Sequence, residues 1–88
     1  MNSVSLVVLT SPGCTHCHAF LKFWEEVKSD FPSVALREVS ILEPEGQQLA
    51  MDHQIFSAPG IFLNGELFAS GGFHREEFLT KMHELTKS

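Results

Sequence analysis

The sequence is poor in cysteine, in basic residues and in long apolar runs. Its 88 residues include two cysteines, far fewer than a disulfide-stapled small domain carries. Six lysine and arginine residues stand against eleven aspartate and glutamate residues, a net charge of -5 that disfavours nucleic acid and anionic membranes as partners. No segment approaches the roughly eighteen consecutive apolar residues of a membrane-spanning helix.

The start of the chain also lacks the features of a secretory signal. Residues 1–10 contain no basic residue and no small-residue cleavage site, and their apolar run from Leu6 to Leu9 is short. We therefore expect a cytoplasmic protein, folded as a single domain over residues 1–88. In the cytoplasm, a close pair of thiols is more often catalytic or metal-binding than structural.

Apolar periodicity predicts alternating strands and helices. The nearly continuous apolar run Val4–Thr10 is typical of a central strand that is covered on both faces. Spacings of three and four predict a helix from about Thr15 to Ser29, which Pro32 stops. The later elements are a strand at 34–41, a short helix near Pro44, a hairpin through Asn64-Gly65 and a last helix. The predicted order is β-α-β-α-β-β-α, an α/β fold with a mixed four-stranded sheet and three helices.

Residue type assigns most aromatic residues to the core and most histidines to the surface. The expected core set is Phe20, Phe23, Trp24, Phe62 and Phe78. The expected surface histidines are His18, His53, His74 and His83. The pairs Asn64-Gly65 and Gly71-Gly72 are predicted to be turn residues with positive φ.

Both cysteines, Cys14 and Cys17, fall where the first strand meets the first helix. A helix N-terminus has unpaired N–H groups and the positive end of the helix dipole, and both favour a thiolate over a thiol. Cys17 lies about one turn later, where it can resolve a mixed disulfide formed at Cys14. A protonated His16 between them would stabilise the thiolate further. The pattern predicts a redox-active dithiol.

With this motif the chain resembles the thioredoxin superfamily, and the resemblance extends over two later segments. Residues 53–59 (HQIFSAP) are similar to the segment that carries the family's cis-proline, and residues 72–79 are similar to the start of its last helix. The resemblance implies a thioredoxin-like fold with a cis-Pro59 close to the cysteines. It also implies that the Ala58 backbone pairs with a substrate peptide and that Thr15 and His16 tune the redox potential.

Several positions depart from ordinary thioredoxins. Gly13 replaces the usual tryptophan, Thr15-His16 replaces Gly-Pro, and Val8 falls near the position of the usual buried acid. With its short length, the chain is therefore similar to glutaredoxins and small thioredoxin-like proteins. Glutaredoxins usually have an acidic residue after their paired glycines, whereas this chain has Phe73-His74 there. The motif is a Cys-Thr-His-Cys active site.

The resemblance implies a thiol–disulfide oxidoreductase that reduces or exchanges disulfides in protein substrates. It implies no bound cofactor, with glutathione as a candidate co-substrate, and a thioredoxin-type reductase or a thiol pool as electron donor. We expect a monomer with no nucleic-acid or membrane partner. Three alternatives stay open: a glutathione-dependent glutaredoxin, a carrier that binds zinc, copper or an iron–sulfur cluster through the same thiols, and an interaction module with vestigial cysteines.

Overall fold

Strands and helices alternate along the computed structural model, which describes residues 3–55 and 57–86. The elements are β1 (Val4–Thr10), α1 (Thr15–Val27), β2 (Val34–Ser40), α2 (Pro44–Asp52), β3 (Gly60–Leu63), β4 (Glu66–Ser70) and α3 (Arg75–Thr86). Their order is the predicted β-α-β-α-β-β-α. Within the two described ranges, no helix is long and apolar enough to cross a membrane.

The four strands form one mixed sheet in the order β2-β1-β3-β4. Strands β1 and β2 are parallel, whereas β3 is antiparallel to both β1 and β4. This arrangement confirms the predicted α/β fold with three helices on a mixed four-stranded sheet. Because β1 is an interior strand, its C-terminal end lies between the end of β2 and the start of β3, with Leu9 opposite Gly60.

Strand β1 separates two apolar clusters, as its continuous apolar sequence predicts. Val4, Leu6 and Val8 are buried on the face that α1 and α3 cover, and Leu9 is buried on the α2 face. Ser5 is exposed on the α2 face, so β1 is not covered on both faces along its whole length. Helix α2 is only nine residues long, and it covers the C-terminal half of that face.

The larger cluster is built around the ring of Phe78, which is fully buried on α3. Its centroid lies 5.2, 5.8 and 6.3 Å from the rings of Phe20, Phe23 and Trp24 on α1. It also lies 5.9 Å from the ring of Phe68 on β4. All four pairs are edge-to-face, an arrangement that aromatic quadrupoles favour. The predicted core role of the α1 and α3 aromatic residues is confirmed.

The smaller cluster lies between the sheet and α2. Its buried members are Leu9, Val39, Ile55 and Phe62. The ring of His53 packs edge-on against Phe62 at 4.9 Å and is half-buried, so the surface position predicted for His53 is wrong. His53 caps the C-terminus of α2, where the chain turns back towards the sheet and brings the imidazole against the aromatic ring.

Helix α1 ends at Val27, two residues before the predicted end, and Lys28–Asp30 form one turn of 3-10 helix. The tighter turn brings Phe31 back to the core, where its ring stacks on Trp24 at 6.2 Å. The Phe31 N–H donates to the carbonyl of Lys28 at 3.0 Å. Pro32 therefore follows a helix that has already ended, because burial of Phe31 ends it first.

The β3–β4 hairpin turns at Asn64 and Gly65, whose φ values of +52° and +83° are those of the tight turn that an Asn-Gly pair predicts. Asn64 also ties the turn to β1. Its N–H donates to the carbonyl of Ser5 at 2.8 Å, and its Oδ1 accepts from the Ser5 N–H at 2.9 Å. These two bonds hold the hairpin in register beside the start of the interior strand.

Helix α2 begins at Pro44, as predicted, and approaches β2 closely at Gly46. A Cβ placed on Gly46 would overlap the carbonyl oxygen of Ser40 at the end of β2. Beside this contact, Arg37 donates to the carboxylate of Glu45 through both terminal nitrogens. These hydrogen bonds lower the pKa of Glu45 and raise the pKa of Arg37. Both side chains are largely exposed, so the pair orients α2 more than it stabilises the fold.

Candidate redox site

A short turn after β1 places Cys14 at the N-terminus of α1. Gly13 has a φ of +70°, and the Cys14 N–H donates to the carbonyl of Ser11 at 3.3 Å. A left-handed φ favours glycine at this position. The backbone conformation therefore explains why glycine stands where thioredoxins usually have tryptophan. No atom lies within 4 Å of a Cβ placed on Gly13, so the space beside Cys14 is open on the Gly13 side.

Cys14 is the N-cap of α1, and its Sγ accepts a hydrogen bond from the N–H of Cys17 at 3.1 Å. The two cysteines form a disulfide, with their Cα atoms 5.3 Å apart. In the reduced protein, the same N–H would donate to a sulfur that can carry a charge. A hydrogen bond to a charged acceptor is stronger than one to a neutral acceptor, so this contact favours the Cys14 thiolate.

The two cysteines differ in their access to solvent. Cys14 is half-buried, whereas Cys17 is 3% exposed. Cys14 is therefore the more accessible cysteine of the pair. The order of the two roles, which the sequence predicts from helix position, stays a prediction.

The segment before β3 carries the other predicted site residues, Ala58 and Pro59. The peptide bond between them is cis, as the resemblance implies, and the ring of Pro59 is fully buried. Gly60 pairs with Leu9, so the cis-proline lies at the same end of the sheet as the cysteine turn. Ala58 is half-buried, and within residues 3–55 and 57–86 its backbone makes no hydrogen bond.

Thr15 and His16 lie in the first turn of α1, and both side chains are exposed. His16 lines a groove of about 540 Å³ that runs between α1 and the β4–α3 connection. The structure therefore brings His16 to the same end of the sheet as the cysteines and the cis-proline. It gives Thr15 no contact that distinguishes it from other residues of the helix surface.

Sequence reasoning missed part of the site, the connection from β4 to α3. The Gly71 N–H donates to the carbonyl of Pro59 at 2.9 Å, which joins this connection to the cis-proline segment. Gly71 has the predicted positive φ of +79°, whereas Gly72 does not, so the prediction for Gly72 is wrong. The paired glycines were the available signal, but only the strand register shows what Gly71 contacts. His74 and Glu77 follow it and line the same groove as His16.

Among the residues that the structure describes, no three histidine, cysteine, aspartate or glutamate side chains are grouped as metal ligands. In the same residues, no buried side-chain nitrogen or oxygen atom lacks a hydrogen-bond partner. The arrangement consists of an accessible sulfur, a buried sulfur and a cis-proline segment at one end of a sheet, and it supports exchange between a dithiol and a disulfide.

Sequence comparison agrees with this arrangement. A family described as the thioredoxin domain matches residues 4–84. A thioredoxin from Methanocaldococcus jannaschii is 34% identical over 68 residues, which are 76% of this chain and 78% of that protein. The chain belongs to the thioredoxin domain family. It is therefore a thiol–disulfide oxidoreductase in the general sense of that family, with disulfide-containing substrates and a reductase as the partners that membership suggests.

Solved structures show that the fold of this thioredoxin-family chain is shared widely. Oxidised thioredoxin O1 from Arabidopsis thaliana superposes with a TM-score of 0.72 at 20% identity, covering 98% of this chain and 80% of that one. An uncharacterised thioredoxin-like protein from Clostridium perfringens gives a TM-score of 0.75 at 12% identity, covering 96% and 71%. At such identities the likeness shows the fold alone, and it confirms the predicted thioredoxin-like architecture.

Proposed function

We propose that this protein reduces or exchanges disulfides in protein substrates, with Cys14 as the nucleophile and Cys17 as the resolving thiol. The observation that carries the proposal is the asymmetry of the pair. Cys14 is half-buried and its sulfur accepts the Cys17 N–H, whereas Cys17 is buried. A nucleophile must reach its target, and a resolving thiol needs only to reach the mixed disulfide.

The reaction proceeds in two exchanges. The Cys14 thiolate attacks one sulfur of the substrate disulfide, so a mixed disulfide forms and the other substrate sulfur leaves as a thiolate. Deprotonated Cys17 then attacks the Cys14 sulfur, which forms the Cys14–Cys17 disulfide and releases the second substrate sulfur. Two electrons pass from the protein dithiol to the substrate, and the protons of the dithiol end on the two substrate thiols.

Ala58 presents the substrate in this proposal. Its half-buried position beside the cis peptide bond, and its unpaired backbone within the described ranges, leave it able to pair with an extended substrate segment. The pairing would align the target disulfide with Cys14, because both segments lie at the same end of the sheet.

A trapping experiment tests the assignment of the two cysteines. We expect Cys17→Ser to accumulate a mixed disulfide with a peptide-disulfide substrate, visible by mass spectrometry under non-reducing conditions. Cys14→Ser keeps a side-chain oxygen at the N-cap, so it is the matched folded control, and it should form no adduct and show no turnover. An adduct that forms at Cys17 in the Cys14→Ser variant would overturn the assignment.

We also propose that His16 tunes the redox potential, with Thr15 as the second residue between the cysteines. A protonated His16 stabilises the thiolate and with it the reduced form, so His16→Ala should make the disulfide harder to reduce. A shift of about 30 mV to more negative potential would correspond to about 1.4 kcal/mol. His18→Ala removes an exposed histidine from the same first turn and is the control. Equal potentials for the two variants would remove the role of His16.

Electron donor and location are further parts of the proposal. We propose a cytoplasmic protein that needs no bound cofactor and takes electrons from a reductase or from a thiol pool such as glutathione. Turnover of a peptide disulfide should be measured with thioredoxin reductase and NADPH, and separately with glutathione, glutathione reductase and NADPH. Activity with the second system alone would favour the glutaredoxin alternative, whereas activity with the first would favour a thioredoxin-type donor.

A further inference from the structure

The groove beside His16 is a feature whose use the two exchanges leave unexplained. Its volume is about 540 Å³. The lining residues combine a strand backbone, two imidazoles, a carboxylate and aromatic rings, contributed by His16, Ser70, Gly71, Phe73, His74 and Glu77 among others. Residues 69–72 form the end of β4, which is an outer strand of the sheet, and the start of the connection that follows it. The groove is therefore open to solvent along one side.

Two lining residues connect the groove to the site of disulfide exchange. His16 lies two residues after Cys14 in the sequence, and the N–H of Gly71 is bonded to the carbonyl of Pro59. A substrate segment that pairs with Ala58 would therefore have its neighbouring side chains above this groove. The groove is within reach of the residues that flank the substrate's reactive cysteine.

Charge indicates what kind of side chain fits. Glu77 supplies the one carboxylate among the lining residues that the structure describes, none of which is a lysine or an arginine, and the whole chain carries -5. The positive groups nearby belong to a separate groove beyond Phe73, lined by Lys22 and Arg75. There Arg75 is already occupied, because its guanidinium pairs with Glu26 at 3.2 Å and lies over the ring of Phe23.

We propose that this groove selects substrates with a lysine or arginine next to the reactive disulfide cysteine. The cationic head would pair with Glu77, and the apolar stem would lie along the ring of Phe73. The inference rests on the proposed function, since it names the class of polypeptide that the redox site accepts. It assigns Glu77 as a specificity-determining residue outside the Cys-Thr-His-Cys motif.

Three disulfide peptides test the proposal directly. They share one sequence and differ by Lys, Gln or Glu at the position after the reactive cysteine. Prereduced protein is mixed with each peptide, and the second-order rate constant of disulfide exchange is followed by chromatography. We expect the Lys peptide to react about two to five times faster than the Gln peptide at low salt, and the Glu peptide to react more slowly still. High salt should reduce the differences.

Two neighbouring glutamates provide the variant and its control. Glu76 and Glu77 are both exposed on α3, but Glu77 lines the groove and Glu76 does not. We expect Glu77→Gln to remove most of the preference for Lys over Gln, and Glu77→Lys to reverse it. Glu76→Gln makes the same change in net charge and should keep the preference.

The outcomes separate this proposal from the one on which it rests. Equal rates for the three peptides with the native protein would overturn the groove assignment and leave the disulfide exchange intact. Glu76→Gln and Glu77→Gln with the same effect would also overturn it, because the preference would then follow net charge. No reaction with any peptide disulfide would instead contradict the proposed function.

Discussion

Cys14 acts at once as a helix cap and as the accessible sulfur of the redox pair. Its Sγ accepts the N–H of Cys17, one of the groups that have no partner within the helix. The same hydrogen bond that stabilises the start of α1 therefore stabilises negative charge on the sulfur. Cys17 is buried, and an apolar environment disfavours the charged form of a thiol.

At the residue scale we expect the pKa of the Cys14 thiol to lie below that of a free cysteine, about 8.5. The Cys17→Ala variant keeps the donating N–H and leaves one thiol, so the rate of its alkylation by iodoacetamide against pH reports Cys14 alone. Cys14→Ala is the matched variant for the buried thiol, which should react more slowly and at higher pH. A midpoint at or above 8.5 for Cys14 would contradict the capping argument.

The predicted site residues show which features of the site can be predicted from local sequence. Helix position predicts the order of Cys14 and Cys17, because a helix N-terminus is a local feature. The contact of Gly71 with Pro59 could not be predicted, since it depends on how β3 and β4 align beside β1. The position of Glu77 at the groove could not be predicted for the same reason: nothing in its own neighbourhood distinguishes it from Glu76, and only the fold turns one of them to the groove.

At the element scale, α2 is held on the sheet by close contact rather than by a wide apolar face. Its buried glycine packs directly on the end of β2, and the paired Arg37 and Glu45 flank this contact. In the folded protein the pKa of Glu45 is lowered, so the stabilisation from this pair is present above the unfolded pKa. It is lost as the pH falls through the folded pKa.

We expect Gly46→Ala to destabilise the protein although alanine is the better helix former. Overlap with the Ser40 carbonyl forces α2 away from β2, at a cost of about 1–3 kcal/mol, against a gain in helix propensity of about 1 kcal/mol. Urea denaturation measures the balance. Gly72→Ala is the control, since a Cβ there meets nothing within 4 Å and its φ is not positive. A more stable Gly46→Ala variant would contradict the close contact.

Element types were predicted better than element ends. The apolar run of β1, the Asn-Gly turn and Pro44 at the start of α2 are strong local signals, and each marks the observed element. The end of α1 depends instead on Phe31 reaching Trp24, a tertiary contact that ends the helix before Pro32. His53 is half-buried for a similar reason, because α2 ends over Phe62 and an isolated histidine carries no local sign of it.

At the scale of the whole molecule, the aromatic cluster around Phe78 joins three elements. We expect Phe78→Ala to lower the free energy of unfolding by about 3–5 kcal/mol, a large part of the 5–15 kcal/mol typical of a domain. Chemical denaturation should show the loss as a shift of the midpoint with little change in slope. Phe78→Leu keeps much of the volume and should lose less. A cost below about 1 kcal/mol for Phe78→Ala would contradict this central role.

Trp24 is the single tryptophan of a chain without tyrosine, and it is buried in the larger cluster against Phe31. Intrinsic fluorescence therefore comes from the α1 side of the sheet and does not sense α2 directly. Circular dichroism reports helices on both sides. Unfolding curves from the two signals would coincide if the sheet couples its faces into one cooperative unit. If α2 separates first, the dichroism would change while the emission of Trp24 stayed native.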